Sequence, residues 1–181
     1  DLKRAQQLLL AIPLKLHKPE SAFRMFSYAL ANLNPATGDD AQFVELIDRE
    51  KKIRDIEGES GTWWKLAKAI RLLIQSATPG LDPGEKVDLI AEASELNVEI
   101  HNARPRWALG LTLNGQVAAA RGELIAAIQS LKSGISNGDT RLSTAYLLTK
   151  LLLQTNRVVE AESEYSRFER LRQANSSVAA F

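Results

Sequence analysis

The sequence contains no cysteine, and this absence removes several chemistries at once. Without thiols the chain forms no disulfide, binds no metal through thiolates and has no cysteine nucleophile. The absence fits an oxidising and a reducing compartment alike. It therefore leaves the localisation open, with a slight preference for the cytoplasm over the periplasm.

Long apolar runs and an excess of one charge are missing as well. No run reaches the roughly 18 residues of a membrane-spanning helix, and the stretch Leu8–Ile12 is interrupted by Pro13. The 23 basic and 22 acidic side chains leave a net charge of +1. The pI of 8.2 lies below the value of roughly 9 that is typical of nucleic-acid-binding domains. We expect a soluble segment that binds no nucleic acid. Because it starts at Asp1 rather than Met, we also expect a fragment of a longer protein.

Recognisable catalytic and metal-binding patterns are absent too. His17 and His101 lie far apart, and neither has another histidine at helical spacing that would form a metal pair. Acidic and basic side chains interleave over 157–172, which is typical of solvated ion pairs on a helix. Phosphate-binding loops and nucleophile motifs do not occur. The sequence therefore predicts no catalytic residue, no metal and no cofactor, and we do not expect an enzyme.

Helical periodicity dominates the chain, while strand alternation is nearly absent. We expect short loops, which force consecutive helices to run antiparallel. In the third helix the apolar positions Phe43, Leu46, Ile47, Ile53 and Ile56 are expected to face the core, and the charged residues 48–54 to face solvent. About nine helices are predicted, over approximately residues 2–16, 19–33, 40–57, 63–77, 84–102, 105–121, 123–137, 140–154 and 157–174.

The C-terminal half repeats itself at a spacing of 34 residues. The positions Leu111, Gly115, Gly122, Ala127 and Leu131 correspond to Ala145, Thr149, Asn156, Ala161 and Tyr165. A period of this length is typical of a helix–turn–helix unit that stacks on its neighbours. The small residues predict a close crossing of two helices. Gly and Asn predict a left-handed turn within each pair, and Leu131 and Tyr165 are expected to fill the gap to the next helix.

This arrangement resembles the tetratricopeptide repeat (TPR) family, clearly over residues 108–175 and more divergently over 1–107. The resemblance implies an all-α fold, a right-handed α-α superhelix of antiparallel helices in a single domain. The candidate units are 3–36, 60–105 with an insertion between its helices, 108–141 and 142–175, with 40–57 as an accessory helix.

The resemblance also implies a function, because the first helix of each TPR pair lines a concave groove that holds peptides. We expect a non-catalytic protein–protein interaction module that binds a peptide or a partner subunit. The alternative is a structural or regulatory segment of a larger protein, with its groove filled in cis. Basic groove residues would suit an acidic peptide or a C-terminal carboxylate. The predicted groove residues are Trp64, Lys68, Arg71, Thr112, Gln116, Tyr146, Lys150 and Gln154, whereas Trp63 and Trp107 are expected to pack in the core.

Overall fold

The computed structural model describes residues 18–33 and 40–178, and most of them are helical. Within these ranges there is no strand, so the predicted all-α class is confirmed. The predicted helix at about 2–16 lies outside the described residues. The eight helices of the described ranges are α1 (Pro19–Ala31), α2 (Asp40–Glu57), α3 (Trp63–Ser76), α4 (Pro83–Ala103), α5 (Ala108–Ala120), α6 (Leu124–Ser136), α7 (Leu142–Gln154) and α8 (Val158–Val178).

The helices stack in chain order. Contacts are most extensive within the pairs α1–α2, α3–α4, α5–α6 and α7–α8, and smaller between one pair and the next. Helix α1 also contacts α3, and α3 contacts α5, so that the first helices of successive pairs lie side by side. This is the packing of a right-handed α-α superhelix, as predicted. No helix of the described ranges is long and apolar enough to cross a membrane.

Helix α2 lies within the array, packed against both α1 and α3. Its residues Leu46 and Ile53 are fully buried. The prediction that Ile47 faces the core is wrong, since Ile47 is 44% exposed. Glu50 lies on the inner face instead, where its carboxylate is 3.0 Å from Nε of Arg71. The inward-facing side of α2 therefore includes a charged residue, Glu50. The pattern of apolar residues alone does not predict this.

The start of α3 is capped from the preceding helix. Thr62 directly precedes the predicted helix 63–77, and as a threonine it is the N-cap that the sequence predicts. It occupies that position, but its side chain forms no capping hydrogen bond. The carboxylate of Glu57 accepts hydrogen bonds from the backbone N–H of Trp63, at 2.7 Å, and of Trp64, at 3.4 Å. A Cβ at Gly61 would overlap this carboxylate. A negative charge at a helix N-terminus is favourable, so Glu57 takes the role predicted for Thr62.

Two hydrophobic clusters form the core. The first joins α1 to α5, and at its centre the ring of Trp63 lies 5.1 Å from that of Phe23 and 4.7 Å from that of Trp107. This confirms that Trp63 and Trp107 are packing residues. The second cluster joins α5 to α8 and contains Leu131 and Leu148, both fully buried.

The turns and the close crossing in the C-terminal half are as predicted. Gly122 has a φ of 79° and Asn156 a φ of 58°, so both adopt the left-handed conformation. A Cβ at Gly115 would lie 2.7 Å from Cγ of Leu131 and 3.1 Å from the carbonyl oxygen of Ala127. Because real Cβ atoms do not approach so closely, the contact between α5 and α6 depends on glycine at this position.

Tyr165 departs from its predicted role. Its counterpart Leu131 is fully buried, whereas Tyr165 is 54% exposed. The prediction that Tyr165 fills the gap to a following helix is therefore wrong for the described residues, because no further helix follows α8 there. The side chain remains at the open end of the stack.

Candidate partner-binding surface

The predicted groove residues on α3 are bonded within the chain. Trp64 is 9% exposed, and its indole Nε1 donates a hydrogen bond of 3.1 Å to the carbonyl oxygen of Gly58. The Lys68 ammonium lies 2.6 Å from the carboxylate of Glu92 on α4. These bonds hold both side chains against neighbouring helices. Their assignment to a groove stays a prediction.

Arg71, the third of the α3 residues, belongs to a buried ion pair. Its side chain is 10% exposed and that of Glu50 is 13% exposed, and Nη1 also donates to Gln75 Oε1 at 2.7 Å. Burial raises the pKa of the Glu50 carboxyl, and the charge and hydrogen bond of Arg71 offset this only in part. A ligand that binds Arg71 would have to replace Glu50.

The two predicted residues on α5 lie in different surroundings. Thr112 is fully buried, and its hydroxyl donates a hydrogen bond of 2.6 Å to Asp139 Oδ2. Gln116 is half-buried, and its side chain forms no hydrogen bond among the described residues. Of these two, only Gln116 presents surface to a ligand without a rearrangement.

Asp139, which lies just before the predicted helix 140–154, is the centre of an interior polar network. Its carboxylate accepts hydrogen bonds from the hydroxyls of Thr112 and Thr144, and it pairs with the Arg141 guanidinium at 2.8 Å. Arg167 on α8 donates to its backbone carbonyl at 3.1 Å. Burial would raise the pKa of Asp139, but the hydrogen bonds and charge of Arg141, with the Thr112 hydroxyl, lower it to about 2. The network fixes α7 on the preceding pair.

The three predicted residues on α7 lie on one open face. Tyr146 is 62% exposed, and Lys150 and Gln154 are exposed as well. They follow one another at i, i+4 and i+8, which places them in a row along the helix. Neither Lys150 nor Gln154 forms a side-chain hydrogen bond or ion pair with the described part of the chain. Their polar groups are therefore open to a partner.

Aromatic residues of α8 extend this face. The ring of Phe168 lies 6.2 Å from that of Tyr146 and 6.0 Å from that of Tyr165. Leu153, about one turn beyond Lys150 and two turns beyond Tyr146, is 56% exposed. We call the resulting surface the terminal face. It consists of Tyr146, Lys150 and Leu153 on α7 and Glu162, Tyr165 and Phe168 on α8.

The repeat explains why the terminal face is open. The residues 34 positions earlier are buried or half-buried: Thr112, Gln116, Ala119, Ile128, Leu131 and Gly134. In that unit α7 supplies the cover, since Leu148, Leu151 and Leu152 join the cluster that contains Ile128 and Leu131. The same face of the last pair has no covering helix among the described residues. Sequence reasoning missed Tyr165 and Phe168 as surface residues, because the 34-residue offset aligns them with Leu131 and Gly134, which are both buried.

The described ranges contain no group of three or more His, Asp or Glu side chains that could hold a metal ion. His101 lies exposed in the last turn of α4, and His17 is outside the described residues. The acidic side chains of α8 form ion pairs, as predicted, with Glu160 bonded to Arg157 and to Lys132 of α6. The described surface therefore offers aromatic rings and single unpaired charges for binding.

Comparison with known proteins identifies the fold. No family model and no curated protein sequence matches the chain. The thermophilic TPR protein TTC0263 of Thermus thermophilus superposes with a TM-score of 0.66 at 17% identity, over 91% of this chain and 83% of that one. MamA from Desulfovibrio magneticus RS-1 gives a TM-score of 0.51 at 16% identity, over 87% and 77% of the two chains. A MamA double mutant from RS-1 gives 0.52 at 16% identity, over 88% and 78%. The fold is that of TPR proteins, which confirms the predicted resemblance at the level of structure.

Proposed function

We propose that this protein is a non-catalytic protein-interaction module and that its partner binds across α7 at Tyr146, Lys150 and Gln154. The observation that carries the proposal is the open row that these three residues form beside the aromatic rings of α8. Exposed aromatic residues next to an isolated charge are typical of residues that dominate protein–protein binding energy.

The chemistry of this row favours an acidic or carboxylate-bearing segment. Lys150 is an unpaired cation in the described structure, and a carboxylate could bind it directly. Gln154 can donate to and accept from a peptide backbone, while Tyr146 offers both a ring and a hydroxyl. We therefore propose a narrower site than the groove implied by the resemblance, with Gln116 as its extension on α5.

The experiment that tests this proposal is site-specific photo-crosslinking. Replacing Gln154 with p-benzoylphenylalanine places a photoreactive group in the row without removing either Tyr146 or Lys150. Gln129, exposed on α6, is the matched control because it is the same residue type away from the row. We expect a partner crosslinked through position 154 in a lysate of the source organism, but not through position 129, and we expect Lys150→Glu to reduce the yield.

Two outcomes would contradict the proposal. Crosslinking of one partner through both positions, with no effect of Lys150→Glu, would place the binding site elsewhere on the array. Crosslinks from position 154 only to another segment of the same longer chain would favour the alternative, a structural segment whose surface is filled in cis.

A further inference from the structure

The terminal face carries one unpaired cation and one unpaired anion. On α8 the carboxylates of Glu160, Glu164 and Glu169 all pair with arginines in the described structure. Glu162 is exposed and pairs with none of the described residues, and the same holds for Lys150 on α7. Both residues belong to the terminal face with Tyr146, Tyr165 and Phe168, and no ion pair joins them in the described structure.

The position of Glu162 limits what can cover this face. Its counterpart 34 residues earlier is Ile128, which is fully buried under α7. A helix with the leucines of α7, docked in the same way, would bury the Glu162 carboxylate against apolar side chains. Burial of an unpaired carboxylate is strongly unfavourable. The occupant must therefore bring a cation to Glu162, and it should also bring an anion to Lys150.

A second copy of the chain meets both requirements. We propose that the terminal face binds the terminal face of a second copy about a twofold axis that runs along α7 and α8. The α7 row of each copy then lies against the α8 row of the other, with Tyr146 against Phe168 and Lys150 within reach of Glu162. With Tyr146 opposite Phe168, Lys150 lies four residues and Glu162 six residues farther along, so their offset along the axis is about 3 Å. The two flexible side chains can span this distance.

The symmetry makes the assembly a closed dimer. In a twofold interface each patch contacts its own equivalent, so that two Lys150–Glu162 pairs form and no surface remains for a third copy. The aromatic rings at the centre supply the apolar contact that specific interfaces require. The inference rests on the proposed function, because it names the partner of the same surface.

Charge reversal gives a sharp test by sedimentation velocity over a concentration series. We expect the native chain to show a reversible monomer–dimer equilibrium, and we expect Lys150→Glu or Glu162→Lys to raise the dissociation constant at least about tenfold each. An equimolar mixture of the two variants should dimerise again. In the mixed dimer the acid introduced at position 150 of one copy faces the base introduced at position 162 of the other, and native charges meet at the second pair. Arg170→Glu is the control, since Arg170 is exposed on α8 about 140° around the helix from Tyr165.

The outcomes separate this inference from the proposed function. A native chain that stays monomeric at all concentrations, or a mixture of the two variants that fails to dimerise, overturns the dimer. If Lys150→Glu still reduces crosslinking of another protein through position 154, the proposed function stands without the dimer. A dimer that is insensitive to charge reversal at 150 and 162 but sensitive at Arg170 places self-association elsewhere and overturns the inference. Circular dichroism of each variant confirms that helicity is unchanged.

Discussion

At the scale of single residues, the most consequential side chain is Asp139. Its carboxylate accepts hydrogen bonds from two threonine hydroxyls and pairs with the Arg141 guanidinium. Its backbone carbonyl accepts a hydrogen bond from Arg167. Asp139 thus connects α5 and α7 through its carboxylate and α8 through its backbone carbonyl. The sequence places Asp139 just before the predicted helix 140–154 and does not show these bonds.

Asp139→Asn should destabilise the chain by about 2 kcal/mol at neutral pH, because it removes the charge that the network is built to bind. The pKa of Asp139 is lowered to about 2 in the folded state. The stabilisation should be complete above the ordinary carboxyl pKa and should disappear as the pH falls from about 4 to about 2. Urea unfolding of native chain and variant across this window measures the effect. Asp88→Asn, at an exposed position on α4, should change neither the free energy of unfolding nor its dependence on pH.

Gly115→Ala tests the crossing of α5 and α6. Alanine favours a helix by about 1 kcal/mol over glycine, but its Cβ would lie 2.7 Å from Cγ of Leu131. Overpacking of this kind costs about 1–3 kcal/mol, so we expect a net loss of stability. A gain in the free energy of unfolding by urea denaturation would show that the two helices can move apart at little cost.

At the scale of helices, the sequence predicted the C-terminal pairs better than the N-terminal ones. The 34-residue repeat that contains Gly115 and Ala127 is local and regular, so it predicts the crossing of α5 and α6 directly. Helix α2 was assigned as an accessory helix because it had no place in a regular pairing of helices. The ion pair of Glu50 with Arg71 cannot be derived from the spacing of residues. Pro83, within a predicted loop, instead begins α4, capped by Asp82.

The packing suggests a different division of the chain. The candidate unit 3–36 begins outside the described residues, and it would make α1 the second helix of a pair. Among the described helices, α1 contacts α2 most extensively and also contacts α3. We propose that the repeat units are the pairs 19–57, 63–103, 108–136 and 142–178, which keeps the two predicted C-terminal units nearly unchanged.

The prediction at the scale of helices concerns the buried Glu50–Arg71 ion pair and its effect on stability. Glu50→Ala would leave the Arg71 guanidinium buried without its partner, and we expect a loss of about 3 kcal/mol. Burial raises the pKa of Glu50, so ionising this group costs more in the folded than in the unfolded state. The double variant Glu50→Leu, Arg71→Met should therefore recover most of the loss. Glu45→Ala, in an exposed pair with Arg49, is the control and should cost less than about 0.5 kcal/mol.

At the scale of the whole molecule, the described residues form a stack of helix pairs in which no described helix covers the last pair. Each pair covers the face of the one before it, as α7 covers Ile128 and Leu131. The last pair presents the same face to solvent, with aromatic residues where the earlier unit has Thr112 and Gly134. The eight-residue groove taken from the resemblance included residues on α3, α5 and α7 alike and did not single out this face. Ion pairs and hydrogen bonds between helices, which hold Lys68, Arg71 and Thr112, could not be derived from the spacing of residues.

The central claim is that the terminal face is a binding surface and not an exposed part of the core. It is tested most directly by comparing Tyr165→Ala with Leu131→Ala, its counterpart 34 residues earlier, in urea unfolding and in partner binding. We predict that Leu131→Ala lowers the free energy of unfolding by about 3 kcal/mol. Tyr165→Ala should lower it by less than about 1 kcal/mol, yet abolish both crosslinking through position 154 and self-association. Equal destabilisation by the two substitutions, or full binding by Tyr165→Ala, would contradict the account.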